Sequence, residues 1–167
     1  MSELTVRRLN ETDLPAIMSG ISSREPAQHR RRLQEQERGT GFTELIAWLD
    51  GTAVGFVGLG YHDDANVDEM VESRGYALVY DLHVEEQHRR RGAGRALMLA
   101  LEERARSLGA PGVILDTGTS EYFAPARALY HALGYANQDG VYLGGWSDPD
   151  HPGVHYVDPL TVWLKPF

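Results

Sequence analysis

The sequence predicts a mixed α/β domain of the α+β kind, with one parallel β-α-β crossover and flanking helices, on three observations. Asp50-Gly51, a pair that tolerates positive φ in a tight turn, separates the strand-like runs 44–49 and 53–61 and marks an antiparallel hairpin. The run 76–84 passes through a glycine-containing turn into an apolar-periodic helix, and then into the short apolar run 113–116. That order, strand, helix and strand, is a parallel crossover unit. Two further strand-like runs, 141–146 and 160–164, close the chain.

Residues 4–9 predict a first strand, and a helix follows from near Thr12 or Asp13, either of which can cap it. Segment 24–38 is helix-like in composition but offers only Leu33 as a large apolar residue, so it is expected to be mostly solvated or to cover something. Residues 62–74 read as polar loop. The helix after the glycines buries Leu97, Leu101, Ala105 and Leu108 at spacings of three and four and ends at Gly109, with Pro111-Gly112 as the next turn. A second helix runs from about Pro125, well placed in a first turn, to Leu133, with Gly134 at its end. There is no internal repeat and no low-complexity linker, and 167 residues suit one domain spanning 1–167.

Composition narrows the function classes. An apolar share of 42% with 24% charged residues is that of a folded chain and too rich in large side chains for disorder. No apolar run approaches membrane-spanning length, and residues 1–10 lack a charged start followed by an apolar stretch, so a cytoplasmic protein with no membrane partner is expected. The absence of cysteine removes disulfides, thiol nucleophiles and cysteine metal sites together. A formal charge of -8 disfavours nucleic acid as a partner and mildly favours cationic or neutral substrates.

The most informative stretch is Gln87-His88-Arg89-Arg90-Arg91-Gly92-Ala93-Gly94-Arg95-Ala96, between the 76–84 strand and the helix that follows. Gly92 and Gly94 let the backbone approach a ligand closely, and the first amides of the helix have no intrahelical acceptors. Helix dipole and arginines together suit a diphosphate. A dinucleotide fingerprint would need glycine where this chain has Leu97, and no P-loop sequence is present. The spacing satisfies R-x-x-G-x-G/A through Arg89, Gly92 and Gly94 instead.

These residues resemble the GCN5-related N-acetyltransferase (GNAT) superfamily, which binds acetyl-CoA. Asp81-Leu82-His83-Val84 followed by Glu85-Glu86-Gln87-His88-Arg89 is similar to that family's fourth strand and its approach to the pyrophosphate loop. Leu129-Tyr130-His131-Ala132-Leu133-Gly134-Tyr135 resembles its later L-Y-x-x-x-G-F/Y signature, at a suitable distance. The resemblance implies a largely antiparallel mixed sheet around the crossover, and acetyl-CoA as co-substrate. It implies that the backbones of Leu82 and Val84 hold the pantetheine arm, with His83 between them in the cofactor-binding stretch. It also implies that amides of Arg90, Arg91, Gly92, Ala93, Gly94 and Arg95 hold the pyrophosphate, with Arg89 at the motif position. Ala126 matches the family pattern, whereas Phe123 stands where the family often has asparagine, seven residues before the tyrosine.

Moving an acetyl group from a thioester to an amine needs a neutral amine, an aligned carbonyl and a proton for the departing thiolate. By the resemblance Tyr130 supplies that proton. Asp81, on the thioester-bearing strand, is the preferred proton acceptor, with Glu85, Asp116 and His83 as alternatives. Strict alternation would put Tyr80, Leu82 and Val84 on one side of the strand and Asp81 and His83 on the other. A strand amide at or near Val84 would polarise the thioester oxygen if the sheet splays there.

The reading is therefore an acetyl-CoA-dependent N-acetyltransferase acting by direct attack in a ternary complex on a primary amine of a small molecule or peptide. The alternative is a non-catalytic acyl-CoA-binding regulatory module. Asp148, Asp150, His151 and His155 lie in a Pro/Gly-rich stretch whose turn chemistry explains them better than a metal does, and His62-Asp63-Asp64 reads as polar loop, so no metal is expected. Arg30-Arg31-Arg32 reads as a solvated helix face, and Trp48, Trp146 and Trp163 as sheet packing. Oligomeric state stays open, a homodimer being a common solution for a domain ending in edge strands.

Overall fold

A computed structural model describes residues 1–61, 75–147 and 151–167. The predicted loop at 62–74, and Asp148 and Asp150, lie outside the described residues. The strands are β1 (Leu4–Arg8), β2 (Phe42–Leu49), β3 (Thr52–Gly60), β4 (Ala77–Val84), β5 (Gly112–Gly118), β6 (Ala136–Asn137), β7 (Tyr142–Ser147) and β8 (His155–Pro166). The helices are α1 (Leu14–Gly20), α2 (Pro26–Glu37), α3 (Ala93–Ser107) and α4 (Ala124–Ala132). Strand order is β1-β2-β3-β4-β5-β8-β6, with β7 also paired to β8; β4 and β5 run parallel and every other pairing is antiparallel. The mixed, largely antiparallel sheet with its central crossover is thus as expected.

Local chemistry explains most element boundaries. Asp50 and Gly51 take φ of 49° and 80°, the left-handed pair that joins β2 to β3 with the twist a hairpin needs. At the first helix the expected caps are replaced. Asn10 accepts from the Asp13 amide across a 3-10 turn at Glu11–Asp13, and α1 then starts at Leu14 with Pro15 in its first turn. Asp13 is drawn instead to Arg7, at 2.8 Å, so its carboxylate is spent on an ion pair. β6 is too short to have a sequence signal.

One sheet face packs on α3 through Leu97, Met98, Leu101 and Ala105, against Ala47, Val57, Leu59, Ala77, Val113 and Leu115. The opposite face near β2 and β3 is covered by α1 and α2, with Ile17, Ile21 and Leu33 against Ile46, Trp48 and Phe56. α2 is more deeply seated than its composition suggested, because it buries Gln36 with partners on both ends of its amide and His29 against Phe56. Gln36 donates from Nε2 to the Leu9 carbonyl at 2.8 Å and accepts from the Glu44 amide at 3.0 Å, stitching α2 to β1 and β2. Beyond the helices on that face, Leu78, Ile114 and Val162 form a smaller cluster with Tyr76, Tyr80 and Tyr142.

Candidate active site

The site begins as a failure of pairing in the sheet. β4 and β5 meet only at Ala77↔Val113 and Leu78↔Ile114, although β4 continues to Val84 and β5 to Gly118. Past that point the strands part and leave a fork. On its other edge β4 stays paired with β3, but the register slips between Phe56 and Gly58, so that Asp81 and Leu82 face the single residue Val57. Asp81 has φ of 50°, the left-handed conformation that a β-bulge absorbs.

The bulge corrects the expected alternation. Val79 packs on the α3 side and Tyr80 on the opposite side, but Leu82 and Val84 are back on the α3 side. Tyr80 therefore does not share a face with Leu82 and Val84, because the extra residue inverts the pattern midway along the strand. His83 keeps the side opposite α3, stacked on Phe56 with centroids 5.4 Å apart and planes at 26°.

The chain leaves β4 through a 3-10 turn at Glu86–His88, anchored by the Glu85 amide on Val54 O at 2.9 Å and by Arg89 Nε on Val84 O at 3.0 Å. Arg90 and Gly92 then adopt φ of 64° and 87°. These left-handed residues turn the backbone sharply into α3, where the first amide to return onto this turn is that of Ala96, on Gly92 O at 2.9 Å. The amides of Ala93, Gly94 and Arg95 are the ones a helix start leaves without intrahelical acceptors. A diphosphate fits this N-terminus, with the exposed Arg89, Arg90, Arg91 and Arg95 around it. A Cβ added at Gly94 would meet Leu129 Cδ2 at 3.4 Å, an ordinary contact that agrees with a motif position open to Gly or Ala.

Tyr130, on α4, is 5% exposed, and its ring lies 6.0 Å from that of Tyr135 and 6.4 Å from that of Trp163. Burial, then the charge of Asp116, pushes its phenol above the ordinary tyrosine value, which keeps the proton on oxygen. Tyr135 donates to the buried Glu102 at 3.1 Å, which also pairs with Lys165 at 2.8 Å, so the wall behind Tyr130 is fixed by a polar network. Arg127 ties α4 to the end of β5 through Gly118 O at 2.6 Å and Ser120 O at 2.9 Å. The Phe123 ring packs against Gly118, where an added Cβ would lie 2.3 Å from its Cδ2. In place of a side-chain amide, this chain has an aromatic lid on the β5 backbone.

Opposite α3, the fork is bordered by charged groups that the sequence reading largely missed. Arg24, from the α1–α2 connection, is 9% exposed, lies 3.6 Å above the Phe56 ring and reaches Glu44 Oε1 at 2.5 Å. Burial raises the pKa of Glu44, against the pull of Arg24 and Arg32. Asp81 Oδ2 pairs with Arg32 at 2.8 Å and Arg24 at 3.6 Å, so this carboxylate fastens α2 to the bulge. Glu85, 4% exposed, accepts from the Ser23 amide at 3.1 Å, the Ser22 hydroxyl at 3.0 Å and the Ser23 hydroxyl. Burial opposes its ionisation, but the bonds from Ser23 and Ser22 outweigh it and hold its pKa below the usual carboxylate range. One signal was available in sequence: Glu44 interrupts an otherwise apolar strand.

A fork in the sheet, a bulge on the strand that borders it and the start of α3 thus come together at the end of β4. The chain belongs to the acetyltransferase (GNAT) family, whose pattern matches residues 6–135. Among curated proteins it is similar to human N-acetyltransferase 8, at 32% identity over 111 residues. That alignment takes in 66% of this chain and 45% of the human protein, so the chain spans about half the length of that relative. Among solved structures it resembles a ribosomal-protein-alanine N-acetyltransferase from Brucella melitensis, with TM-score 0.70, 21% identity and 98% and 99% of the two chains covered. It also resembles the Salmonella typhimurium protein yncA, solved with its cofactor acetyl-CoA, with TM-score 0.65, 18% identity and coverage of 98% and 93%.

Proposed function

We propose that this chain transfers an acetyl group from acetyl-CoA to a primary amine of a small molecule or peptide, by direct attack within a ternary complex. The observation that carries the reading is the β4–β5 fork, which opens beside the unpaired amides of α3. In this reading the backbone of Leu82, His83 and Val84 holds the pantetheine arm as a further strand would, and the amides from Arg90 to Arg95 hold the pyrophosphate. A β4 amide freed by the splay faces the thioester oxygen. Tyr130 gives its proton to the sulfur as the C–S bond breaks and the C–N bond forms. The names of the human and Brucella relatives agree with an amine acceptor.

The test is thiol release from acetyl-CoA over a diverse amine panel. Tyr130→Phe is expected to lower kcat by about 100-fold, the lower end of general-acid effects, with acetyl-CoA affinity held within about threefold. An Arg91→Ala/Gly94→Val double variant with normal activity would sink the assigned cradle. Acetyl-CoA binding with no thiol release across the whole panel favours the non-catalytic module instead.

A further inference from the structure

Among the candidates on β4 and on the elements packed beside it on the side opposite α3, surroundings separate the proton acceptor for the incoming ammonium group, and Asp116 on β5 is left to the test below. Glu44 and His29 are 0% exposed and out of reach of a substrate. The carboxylate of Asp81 keeps 58% of its surface open, but its Oδ2 is ion-paired with Arg32 at 2.8 Å and Arg24 at 3.6 Å, so its charge is already matched. Glu85 is enclosed by Ser22 and Ser23. Of these groups, His83 is the one that is both partly open and not ion-paired with an arginine. Its side chain keeps 26% of its surface open, on the side of β4 opposite α3 and between the two residues whose backbone borders the fork. Its ring plane is set by stacking on Phe56, and its Nε2 is buried without a hydrogen-bond partner, the Glu85 Oε1 atom lying 3.5 Å away.

We propose that His83 takes the proton from the acceptor ammonium through Nδ1, and that Glu85, locked by Ser22 and Ser23, is the residue that positions its ring. An ionised carboxylate beside Nε2 keeps the hydrogen on that nitrogen and leaves the Nδ1 lone pair for the substrate. Burial pulls the imidazole pKa down, Glu85 pulls it up, and Arg89 and Arg24 pull it down; the net lowering keeps the ring neutral and able to accept at physiological pH. The balance is closed. The ammonium loses one proton to His83 before attack, and His83 later passes it to water. The second proton lost by nitrogen as the amide forms replaces the one that Tyr130 gives to sulfur.

This assignment rests on the acetyltransferase reading, and its test separates the two. His83→Gln preserves a planar side chain for Phe56 and cannot act as a base at neutral pH. It is expected to lower kcat by about 100-fold while the KM for acetyl-CoA stays within about threefold. His83→Ala should regain activity with added imidazole, which a purely structural residue would not. Glu85→Gln removes a charge that favours the imidazolium, so the acid limb of the kcat/KM profile should move to lower pH. Turnover by His83→Gln within threefold of the parent, an acid limb that follows Asp116→Asn instead, or absence of imidazole rescue overturns the assignment and leaves the acetyltransferase reading standing. A parent protein that binds acetyl-CoA and releases no thiol with any amine overturns both.

Discussion

The two sides of the fork are built from different materials. In the proposed reaction the donor side uses backbone: the stretch of β4 that is not paired to β5, the left-handed residues Arg90 and Gly92, and the first amides of α3. The acceptor side uses side chains from distant parts of the chain. Arg24 meets Glu44 across 20 residues of sequence, Arg32 meets Asp81 across 49, and Ser22 and Ser23 meet Glu85 across 63 and 62. Backbone geometry is fixed by a short local pattern and serves a ligand part that does not vary. A side-chain network can be rewritten one residue at a time, which suits the part of the reaction where acceptors differ.

The largest test of that contrast is Arg24→Leu. It leaves Glu44 buried without its hydrogen-bonded partner, and loss of one member of a buried pair costs about 3–5 kcal/mol. Urea denaturation should show that loss, and an Arg24→Leu/Glu44→Met double variant should recover most of it, because an apolar pair needs no counter-charge. Acetyl-CoA affinity measured on the folded fraction should be unchanged in both. An equal loss of acetyl-CoA affinity would mean that the two sides are one unit.

A smaller effect comes from His29, fully buried on α2 with both ring nitrogens unpartnered and its edge 6.2 Å from Phe56. Burial, then the Arg24 charge, lowers its pKa to about 4, against the opposing pull of Glu85. A depressed folded-state value means that the unfolded chain binds the proton more readily. The associated stability is therefore whole above about pH 6.5 and is lost as pH falls toward 4, in total about 3 kcal/mol. His29→Leu should flatten the stability difference between pH 7 and pH 4 relative to the parent. Parallel curves for the two proteins would remove His29 from the acid response.

The same division explains what the sequence disclosed. The hairpin at Asp50-Gly51, the crossover through α3 and the glycine turn that opens that helix each depend on neighbours in the chain, and each was legible. The bulge at Asp81 was not, since a single inserted residue leaves no composition signal and yet inverts the facing of everything before it. The segment 24–38 reads as a helix either mostly solvated or covering something, and its composition leaves that choice open because two of its three buried helix residues, His29 and Gln36, are polar. Asp81 and His83 were both named as candidates. What separates them is Arg24 and Arg32 on one and Phe56 and Glu85 on the other, partners that only the folded chain supplies.

The smallest expected effect is the sharpest test of the donor side. Gly92 sits at φ 87° and ψ -3°, and a Cβ added there would meet only Leu4 Cδ2 at 3.8 Å, so space does not demand glycine. Conformation does, since an alanine held left-handed costs about 1–2 kcal/mol. Gly92→Ala must either carry that strain, lowering Tm by about 3 °C, or relax φ and rotate the amides of Ala93 and Gly94 out of line. Relaxation transfers the cost to the ligand, and 1 kcal/mol corresponds to about a fivefold weaker Kd for acetyl-CoA. Acceptor KM and the acid limb of the pH profile should not move, because neither His83 nor Glu85 depends on that turn. A lower Tm with an unchanged Kd would show that the fold carries the strain with the amides still in line, whereas no change in either would show that the amides have moved and that the arginine side chains hold the diphosphate.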